Sequence, residues 1–344
     1  MVPSPMSGRL CVLVLFWTLV GTGSAGELAR FEFVETHMGS PFRILLYSTD
    51  EPAARRASRA AYDRVAALNS VLSDYEADSE ISRLGQAAGG EPVAVSADLF
   101  DVLEKAKSFY EKSDGAFDPT VAPVGRLWRR AIRERKLPDP VKLAEARALV
   151  GADKMILDPQ ARTVRLTKPG MKLDVGGIAK GYAAQAAIDV LRANGITRAL
   201  VAGAGDIVVG DPPPNSEGWT IGVASLYPST VEPKIYLSLR NQAVSTAGDA
   251  ERFVIIDGRR YSHIVNPVTG MAVEDRASVT VIAPDGASAD ALETAVYLLG
   301  PEKGFKLIDE TPGAAAIFTR ETTQGIQSFE SSRFKDIPRA RPKR

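Results

Sequence analysis

Apolar residues recur at helical spacing in several segments of the chain. Within residues 51–75 they are four, four, three and four positions apart, at Ala57, Ala61, Val65, Leu68 and Leu72. This spacing puts them on one face of an amphipathic helix, and Asp50 precedes it as a candidate N-cap. Residues 97–112 repeat the pattern after Ser96. Residues 178–193 form a third predicted helix, which ends at Asn194-Gly195, a pair typical of a left-handed helix exit.

Other segments have the composition of β-strands. Residues 31–47 are predicted as strands interrupted at HMGSP, and residues 154–166 as two short strands around DPQAR. From residue 199 onward the chain is mostly strand, with a hairpin at Asp257-Gly258, a strand over residues 278–283 and a helix over about residues 289–299. Strands and helices come in runs rather than in strict alternation, so we predict an α+β fold.

The N-terminus is typical of a secretory signal. Arg9 precedes the apolar run of residues 10–20, and the small residues GTGSA follow, with Ala25 as the expected last residue removed. Eleven apolar residues are too few to span a hydrocarbon core of about 30 Å. We expect an exported, periplasmic protein, with an uncleaved membrane anchor as the alternative. No later segment is apolar enough to be predicted as a membrane span.

Composition and charge exclude several classes of function. The 344 residues are 45% hydrophobic and 24% charged, with a formal net charge of zero, so nucleic acid is not expected as a partner. The single cysteine, Cys11, lies within the predicted signal, which excludes disulfides and cysteine nucleophiles from the rest of the chain. Only two histidines are present, which disfavours a zinc site. The basic segment 331–344 is predicted to be a disordered tail.

The stretch KLDVGGIAKGYA, residues 172–183, has two interpretations. Glycines at the start of a helix allow close approach of a ligand, the helix N-terminus favours phosphate, and Lys180 adds a full charge. A tight strand-to-helix turn with a surface lysine explains the same residues. The spacing fits neither a Walker loop nor, in GAGDIVVG, a dinucleotide fingerprint.

Three further segments carry candidate chemistry. In GAFDPTVAPVGRLW, Asp118 precedes a proline and is therefore extended, while Phe117 offers an aromatic ring; a plain helix end is the alternative. His263 lies where a hairpin strand ends and is either structural or catalytic. Asp290 and Thr294 lie one helical turn apart and suit Mg²⁺, although an acid near a helix start is also explained by the helix dipole.

Taken together, the motifs resemble one family. They are HMGSPF, LSDYEADSEISRLG, GAFDPTVAPVGRLW, LDVGGIAKGYA, AVSTAGD, RYSHIVNPVTG and SVTVIAPDGASADALETAVYLLG, in that order. The chain closely resembles the ApbE family of FAD:protein FMN transferases from about residue 31 to residue 305. The resemblance implies a two-lobed α+β architecture related to the T-fold, formed by residues 26–330 after a signal at residues 1–25.

The resemblance also implies the site residues. The residues matching the family's FAD contacts are Met38, Tyr75, Ala116, Phe117, Asp118, Asp174, Lys180 and His263. The residues matching its Mg²⁺ ligands are Asp290, Thr294 and the backbone oxygen of Gly177. His263 and Asp290 are the implied catalytic residues. The chain departs from the family's frequent pattern at Ala202, Ala204 and Ala247, where asparagine, glycine and serine are common.

The implied activity is Mg²⁺-dependent transfer of FMN from FAD to a threonine or serine hydroxyl. The acceptor would be a membrane-associated flavoprotein with a Ser/Thr-Gly-Ala-Thr-like motif, and AMP would be released. Two alternatives stay open: a pyrophosphatase that splits FAD into FMN and AMP, and a non-catalytic periplasmic FAD-binding protein.

Overall fold

The computed structural model describes residues 27–227, 233–248 and 253–341. Its main sheet has eight strands in the order β1-β2-β6-β7-β10-β13-β14-β15, and every neighbouring pair is antiparallel. The strands are β1 Ala29–His37, β2 Ser40–Ser48, β6 Ala199–Gly203, β7 Asp206–Val209, β10 Gln242–Gly248, β13 Ala277–Ala283, β14 Ala315–Thr322 and β15 Gly325–Glu330.

Three small sheets accompany the large one. The first has the order β3-β5-β4, and the others are the pairs β8-β9 and β11-β12. Their strands are β3 Val93–Ala94, β4 Met155–Asp158, β5 Thr163–Leu166, β8 Trp219–Gly222, β9 Tyr236–Leu239, β11 Phe253–Ile256 and β12 Arg259–Ser262. The predicted hairpin is confirmed, because Asp257 and Gly258 join β11 to β12 with positive φ angles of 50° and 75°.

The described residues form seven α-helices. They are α1 Glu51–Leu72, α2 Glu80–Gln86, α3 Ala97–Lys112, α4 Ala122–Glu134, α5 Pro140–Ala148, α6 Ala179–Ala193 and α7 Gly286–Glu310. Helix α6 lies between α1 and α7, and α7 packs against β10 and β13. No helix in this part of the chain is both long and apolar enough to cross a membrane.

The hydrophobic pattern predicted helix α1 correctly. All five residues of its predicted stripe are buried, and the Asp50 carboxylate accepts a hydrogen bond from the Ala53 amide at 2.9 Å, as an N-cap does. Helices α3 and α6 are confirmed as well, and the φ of +80° at Gly195 matches the predicted left-handed exit. Local spacing was sufficient here because each helix buries one continuous face.

Two faces of the large sheet are covered by separate cores. Helices α1, α6 and α7 lie over one face, and β13, an interior strand of the sheet, is buried along its whole length. The pair β8-β9 and Phe334 cover part of the other face. A third cluster joins α4 and α5 to β11-β12 around Trp128 and Tyr261. The sheet therefore fixes the relative positions of α6 and α7, whose N-terminal ends carry the predicted site residues.

The prediction of a disordered tail from residue 331 is wrong for residues 331–341. Phe334 is fully buried, its ring lies under the guanidinium of Arg339 at 4.7 Å, and the Ala340 amide donates to the Tyr236 carbonyl at 2.8 Å. Arg333 donates to carbonyl groups at the end of α7, including that of Thr311 at 2.8 Å. The segment is basic, but its few apolar residues complete the second core, and its arginines satisfy carbonyls at a helix end.

The start of α7 also differs from the prediction. The helix begins at Gly286, and its N-cap is Asp285, which accepts from the Ser288 amide at 3.0 Å. Asp290 therefore lies beyond the first turn, so stabilisation of the helix dipole does not explain its presence. The predicted signal lies within residues 1–26, outside the described residues. Asp249 of the AVSTAGD motif and the end of the tail, residues 342–344, lie outside them too.

Candidate functional site

The turn that opens α6 brings its backbone against α7. A Cβ atom added to Gly177 would lie 2.8 Å from Thr294 Oγ1 and 3.3 Å from the Phe117 ring. The Asp174 carboxylate shapes the turn by accepting from the Gly176 amide at 2.9 Å. The second glycine of the motif is therefore required by close approach to a hydroxyl on another helix.

The residues that carry the three predicted Mg²⁺ ligands lie at or near this contact. Gly177 approaches Thr294, and Asp290 is one helical turn before Thr294 on α7. The donors are a carboxylate, a hydroxyl and a backbone carbonyl, all of which are oxygen ligands of the kind that Mg²⁺ takes, so the residues present fit this ion. No cluster of three histidine, cysteine or carboxylate side chains suited to a metal occurs in residues 27–227, 233–248 and 253–341. The predicted set does not need such a cluster, because only one of its donors is a carboxylate.

Buried carboxylates surround Asp290, and the sequence analysis did not identify them. Ser245 Oγ lies 2.7 Å from an Asp206 oxygen and 2.9 Å from a Glu293 oxygen, and both carboxylates are buried. Burial raises the pKa of all three acids, and the charge of Asp206 raises the pKa of Asp290 further. The signal available in the sequence was Glu293, an acid beside Thr294 that is flanked by the apolar pairs Ala291-Leu292 and Ala295-Val296.

Lys180 is the cation that faces this group. Its ammonium group lowers the pKa of Asp206 and of Asp290, opposing the effect of burial. The first turn of α6 adds a backbone donor, because the Gly181 amide donates to the Asp290 carboxylate at 3.0 Å. When Asp206 and Asp290 are ionised, two carboxylates face one ammonium group, and a cation bound by Asp290 would neutralise the surplus of negative charge.

The segment containing Ala116, Phe117 and Asp118 lies against the same turn. The Asp174 amide donates to the Pro119 carbonyl at 2.8 Å, which joins this segment to the α6 turn. Phe117 is only 4% exposed, so its ring packs into the core and does not offer a free face for stacking. Burial raises the pKa of Asp118 to about 6, although its carboxylate accepts two hydrogen bonds from Thr120.

Tyr75 follows α1 in an exposed loop. Its ring stacks under the guanidinium of Arg129, whose Cζ lies 4.4 Å from the ring centroid. Arg129 also donates to Asp74 at 2.5 Å and to Asp174 at 2.6 Å. The structure thus links two predicted FAD contacts, Tyr75 and Asp174, through an arginine that the sequence analysis did not identify.

Met38 and His263 lie on two hairpins. Met38 and Gly39 form the two-residue turn between β1 and β2, with φ angles of +48° and +72°, a combination typical of a type I′ turn. A methionine with positive φ is uncommon and costs about 1 kcal/mol, and the type I′ turn requires this angle. His263 directly follows β12 and is exposed. The roles of Met38 and His263 in the site stay predictions.

Two of the three departures from the family pattern lie at the turn between β6 and β7 or next to it. Ala204 has a φ of +56°, and a Cβ added to Gly205 would lie 2.5 Å from the Thr246 carbonyl. The family's glycine suits the left-handed conformation of residue 204 better than alanine does. Ala202 pairs with Ile207 in the sheet, and Ala247 pairs with Val279. The departures therefore alter a turn and strand side chains but none of the predicted Mg²⁺ ligands.

A cavity of about 480 Å³ opens beside this region. Of the predicted site residues, only Asp118 lines it. The remaining walls come from α3, α5 and the segments around residues 151 and 267, with Tyr110, Arg147, Gly151, Lys154 and Pro267 among the lining residues.

The comparisons with known proteins agree with this architecture. The family model described as ApbE family matches residues 38–318. The FAD:protein FMN transferase of Treponema pallidum is 36% identical over 328 residues, 89% of this chain and 89% of the relative. An FAD:protein FMN transferase of Klebsiella pneumoniae is 32% identical over 293 residues, 85% of this chain and 89% of the relative.

Solved structures show the same fold. The flavin transferase ApbE of Vibrio cholerae aligns with a TM-score of 0.81 and 26% identity, over 90% of this chain and 100% of that one. The apo form of the flavinyl transferase ApbE of Pseudomonas stutzeri aligns with a TM-score of 0.80 and 29% identity, over 90% and 97% of the two chains. The predicted α+β, ApbE-like fold is confirmed. Because the family model covers most of the chain and a relative matches it at 36% identity, the chain belongs to the ApbE family.

Proposed function

We propose that this protein is an FAD:protein FMN transferase. It transfers FMN from FAD to a threonine or serine hydroxyl of an acceptor flavoprotein, forms a phosphoester and releases AMP. Membership of the ApbE family and the names of the relatives support this activity. The observation that carries the proposal is the contact of Gly177 with Thr294, one turn from Asp290 and beside Lys180.

The site is suited to a diphosphate and its counter-ion. Asp290, Thr294 and the Gly177 carbonyl would hold Mg²⁺, which when bound supplies positive charge against the diphosphate. Lys180 adds a cation on the same side, where it already offsets the charge of Asp206 and Asp290. The Gly176-Gly177 backbone allows the phosphates to come close. The residues thus neutralise and orient the group undergoing substitution, the main requirement of phosphoryl transfer.

The transfer itself is a substitution at phosphorus. The acceptor oxygen forms a bond to the FMN-side phosphorus, and the bond from that phosphorus to the bridging oxygen breaks, so that AMP leaves with the bridging oxygen. His263 takes the proton of the acceptor hydroxyl as a general base. Its exposed position after β12 allows a hydroxyl of a second protein to reach it.

Mass spectrometry of an acceptor protein tests the proposal directly. The protein without residues 1–25 is incubated with FAD, Mg²⁺ and a flavoprotein fragment carrying a Ser/Thr-Gly-Ala-Thr-like motif. We expect the acceptor to gain the mass of FMN less water, AMP to appear in equal amount, and His263→Ala to slow both. A fragment with alanine in place of the final threonine is the control. An unmodified acceptor would contradict the proposal.

The same assay separates the two alternatives. An FAD pyrophosphatase would release FMN and AMP without any acceptor, whereas an FAD-binding protein would release neither. The acceptor is proposed to be membrane-associated.

We further propose that the protein is exported to the periplasm. The predicted signal in residues 1–25 supports this. N-terminal sequencing of protein recovered from the periplasm is expected to start near Gly26. Recovery only from the cytosol with Met1 intact would contradict the proposal, and membrane-bound protein with an intact N-terminus would indicate an uncleaved anchor.

Lys180→Ala is expected to weaken FAD binding by about tenfold or more while leaving riboflavin binding nearly unchanged. The Lys180 ammonium group lowers the pKa of both Asp206 and Asp290, so its loss leaves these carboxylates uncompensated beside a bound diphosphate. Riboflavin has no phosphate and would not experience this repulsion. Fluorescence titration with each ligand measures both affinities.

Lys168→Ala is the matched control. Lys168 is exposed, and its ammonium group donates a hydrogen bond to the Ala148 carbonyl at 3.5 Å rather than facing a buried carboxylate. Equal losses of FAD and riboflavin affinity in Lys180→Ala would show that Lys180 does not face the diphosphate.

A further inference from the structure

The ring of Tyr75 lies in a largely open position against the side chain of Arg129. The residue is 79% exposed, yet the Arg129 guanidinium lies over one face of its ring at 4.4 Å. The cation covers that face, and the rest of the side chain is largely open to solvent. An exposed tyrosine in a loop would otherwise sample several rotamers, which makes the fixed guanidinium important for the direction of the ring.

Two carboxylates anchor the guanidinium. One terminal nitrogen of Arg129 donates to Asp74 at 2.5 Å, and the other donates to Asp174 at 2.6 Å. The side chain of Asp74 is only 8% exposed and that of Asp174 is 18% exposed, so both pairs are shielded from water. Short, charge-assisted bonds to two fixed oxygens define the guanidinium plane, and a planar group with fixed edges gives the stacked ring a defined orientation.

The two carboxylates need this arginine. Burial raises the pKa of Asp74, and repulsion by the nearby charge of Asp174 raises it further. Arg129 lies between them and offsets that repulsion. It therefore connects the loop after α1, the turn before α6 and helix α4 at a single point.

We propose that Arg129 is a positioning residue that orients the Tyr75 ring for stacking against the isoalloxazine ring of FAD, with Asp74 and Asp174 as its anchors. This inference rests on the proposed function, in which Tyr75 contacts the flavin. Arg129 does not touch the reacting atoms. It fixes the orientation of the Tyr75 ring before FAD binds, so less side-chain conformational entropy is lost on binding.

A double-mutant cycle on FAD binding tests this proposal. Arg129→Ala is expected to weaken FAD binding by about tenfold in the wild-type background, because an unheld ring must be ordered by the ligand. In a Tyr75→Ala background the same change is expected to weaken binding by less than about threefold, since no ring remains to be oriented. Losses that simply add would overturn the proposal.

ADP, which lacks the isoalloxazine ring, separates positioning from a general structural effect. Arg129→Ala is expected to change ADP affinity by less than about twofold, because Asp174 still accepts from the Gly176 amide through its other carboxylate oxygen and the mutation acts on the ring-binding face. Equal losses for ADP and FAD would overturn the proposal. Arg130→Ala is the control, because Arg130 is exposed and pairs with Glu134 one turn away on the same helix; it is expected to leave both affinities unchanged.

Arg129→Lys provides a second variant if Arg129→Ala does not fold. Lysine keeps the charge but cannot donate to both carboxylates in one plane while lying flat on the ring, so FAD binding is expected to weaken while ADP binding does not. Full FAD affinity in this variant would overturn the proposal. All these titrations need neither acceptor nor turnover. Absence of FMN transfer by the wild-type protein would therefore refute the proposed function separately from the role of Arg129.

Discussion

Replacing Asp290 with asparagine is expected to lower the rate of FMN transfer at least about a hundredfold in the presence of excess Mg²⁺. Asp290 is the only carboxylate among the three proposed metal ligands. Its loss removes charge from the site that neutralises a diphosphate during substitution, which is worth several kcal/mol in the transition state, at about 1.4 kcal/mol per tenfold in rate.

The fold is expected to tolerate this change. Asp285, and not Asp290, caps helix α7, and an asparagine side chain keeps an oxygen that can accept from the Gly181 amide. Asp290 is buried beside Asp206, so removal of its charge relieves repulsion in the metal-free protein. The melting temperature without divalent metal is therefore expected to be equal to that of the wild type or higher.

Three measurements decide this prediction together. They are FMN transfer, AMP release, and the shift in melting temperature on addition of Mg²⁺, which is expected in the wild type and lost in Asp290→Asn. Ser288→Ala is the control, because Ser288 lies on the same helix but its hydroxyl donates to the N-cap residue Asp285. A folded Asp290→Asn protein with near-normal turnover would refute the metal assignment.

Gly181→Ala is expected to destabilise the protein by at least about 3 kcal/mol. An added Cβ would lie 2.0 Å from the Gly286 carbonyl oxygen and 2.8 Å from Asp290 Cβ. The clashing atom belongs to backbone at the start of α7, so it cannot rotate away as a side chain would. Helices α6 and α7 would have to separate, and the hydrogen bond from the Gly181 amide to Asp290 would lengthen.

Thermal unfolding measures this cost. A loss of about 3 kcal/mol corresponds to a fall in Tm of about 4 °C for a chain of 344 residues, at about 2.1 cal/mol/K of unfolding entropy per residue. Gly85→Ala is the control, because Gly85 also lies in a helix, α2, and its added Cβ would meet its nearest atom, Lys172 Cα, at 3.7 Å. That variant is expected to be stabilised by up to about 1 kcal/mol, since alanine is the better helix former. An unchanged Tm in Gly181→Ala would show that the two helices separate without cost.

The sequence alone identified the parts of the fold that depend on near neighbours. Helices α1, α3 and α6 and the hairpin at Asp257-Gly258 were predicted because helical periodicity, capping residues and turn residues act within a few positions. The α+β class followed from the order of these elements. The resemblance to the ApbE family came from seven motifs, which supplied site residues that no spacing argument selected.

Only the tertiary structure showed which distant segments meet. Gly177 is against Thr294, Ser245 bridges Asp206 and Glu293, and Arg129 joins Asp74 to Asp174. None of these pairings has a local signal, because each depends on how the sheet places helices that are far apart in the sequence. The tail was mispredicted for the same reason: basic residues indicate exposure locally, whereas a distant core provided a place for Phe334. Local patterns thus determined the elements, and burial of their faces against one another determined the site.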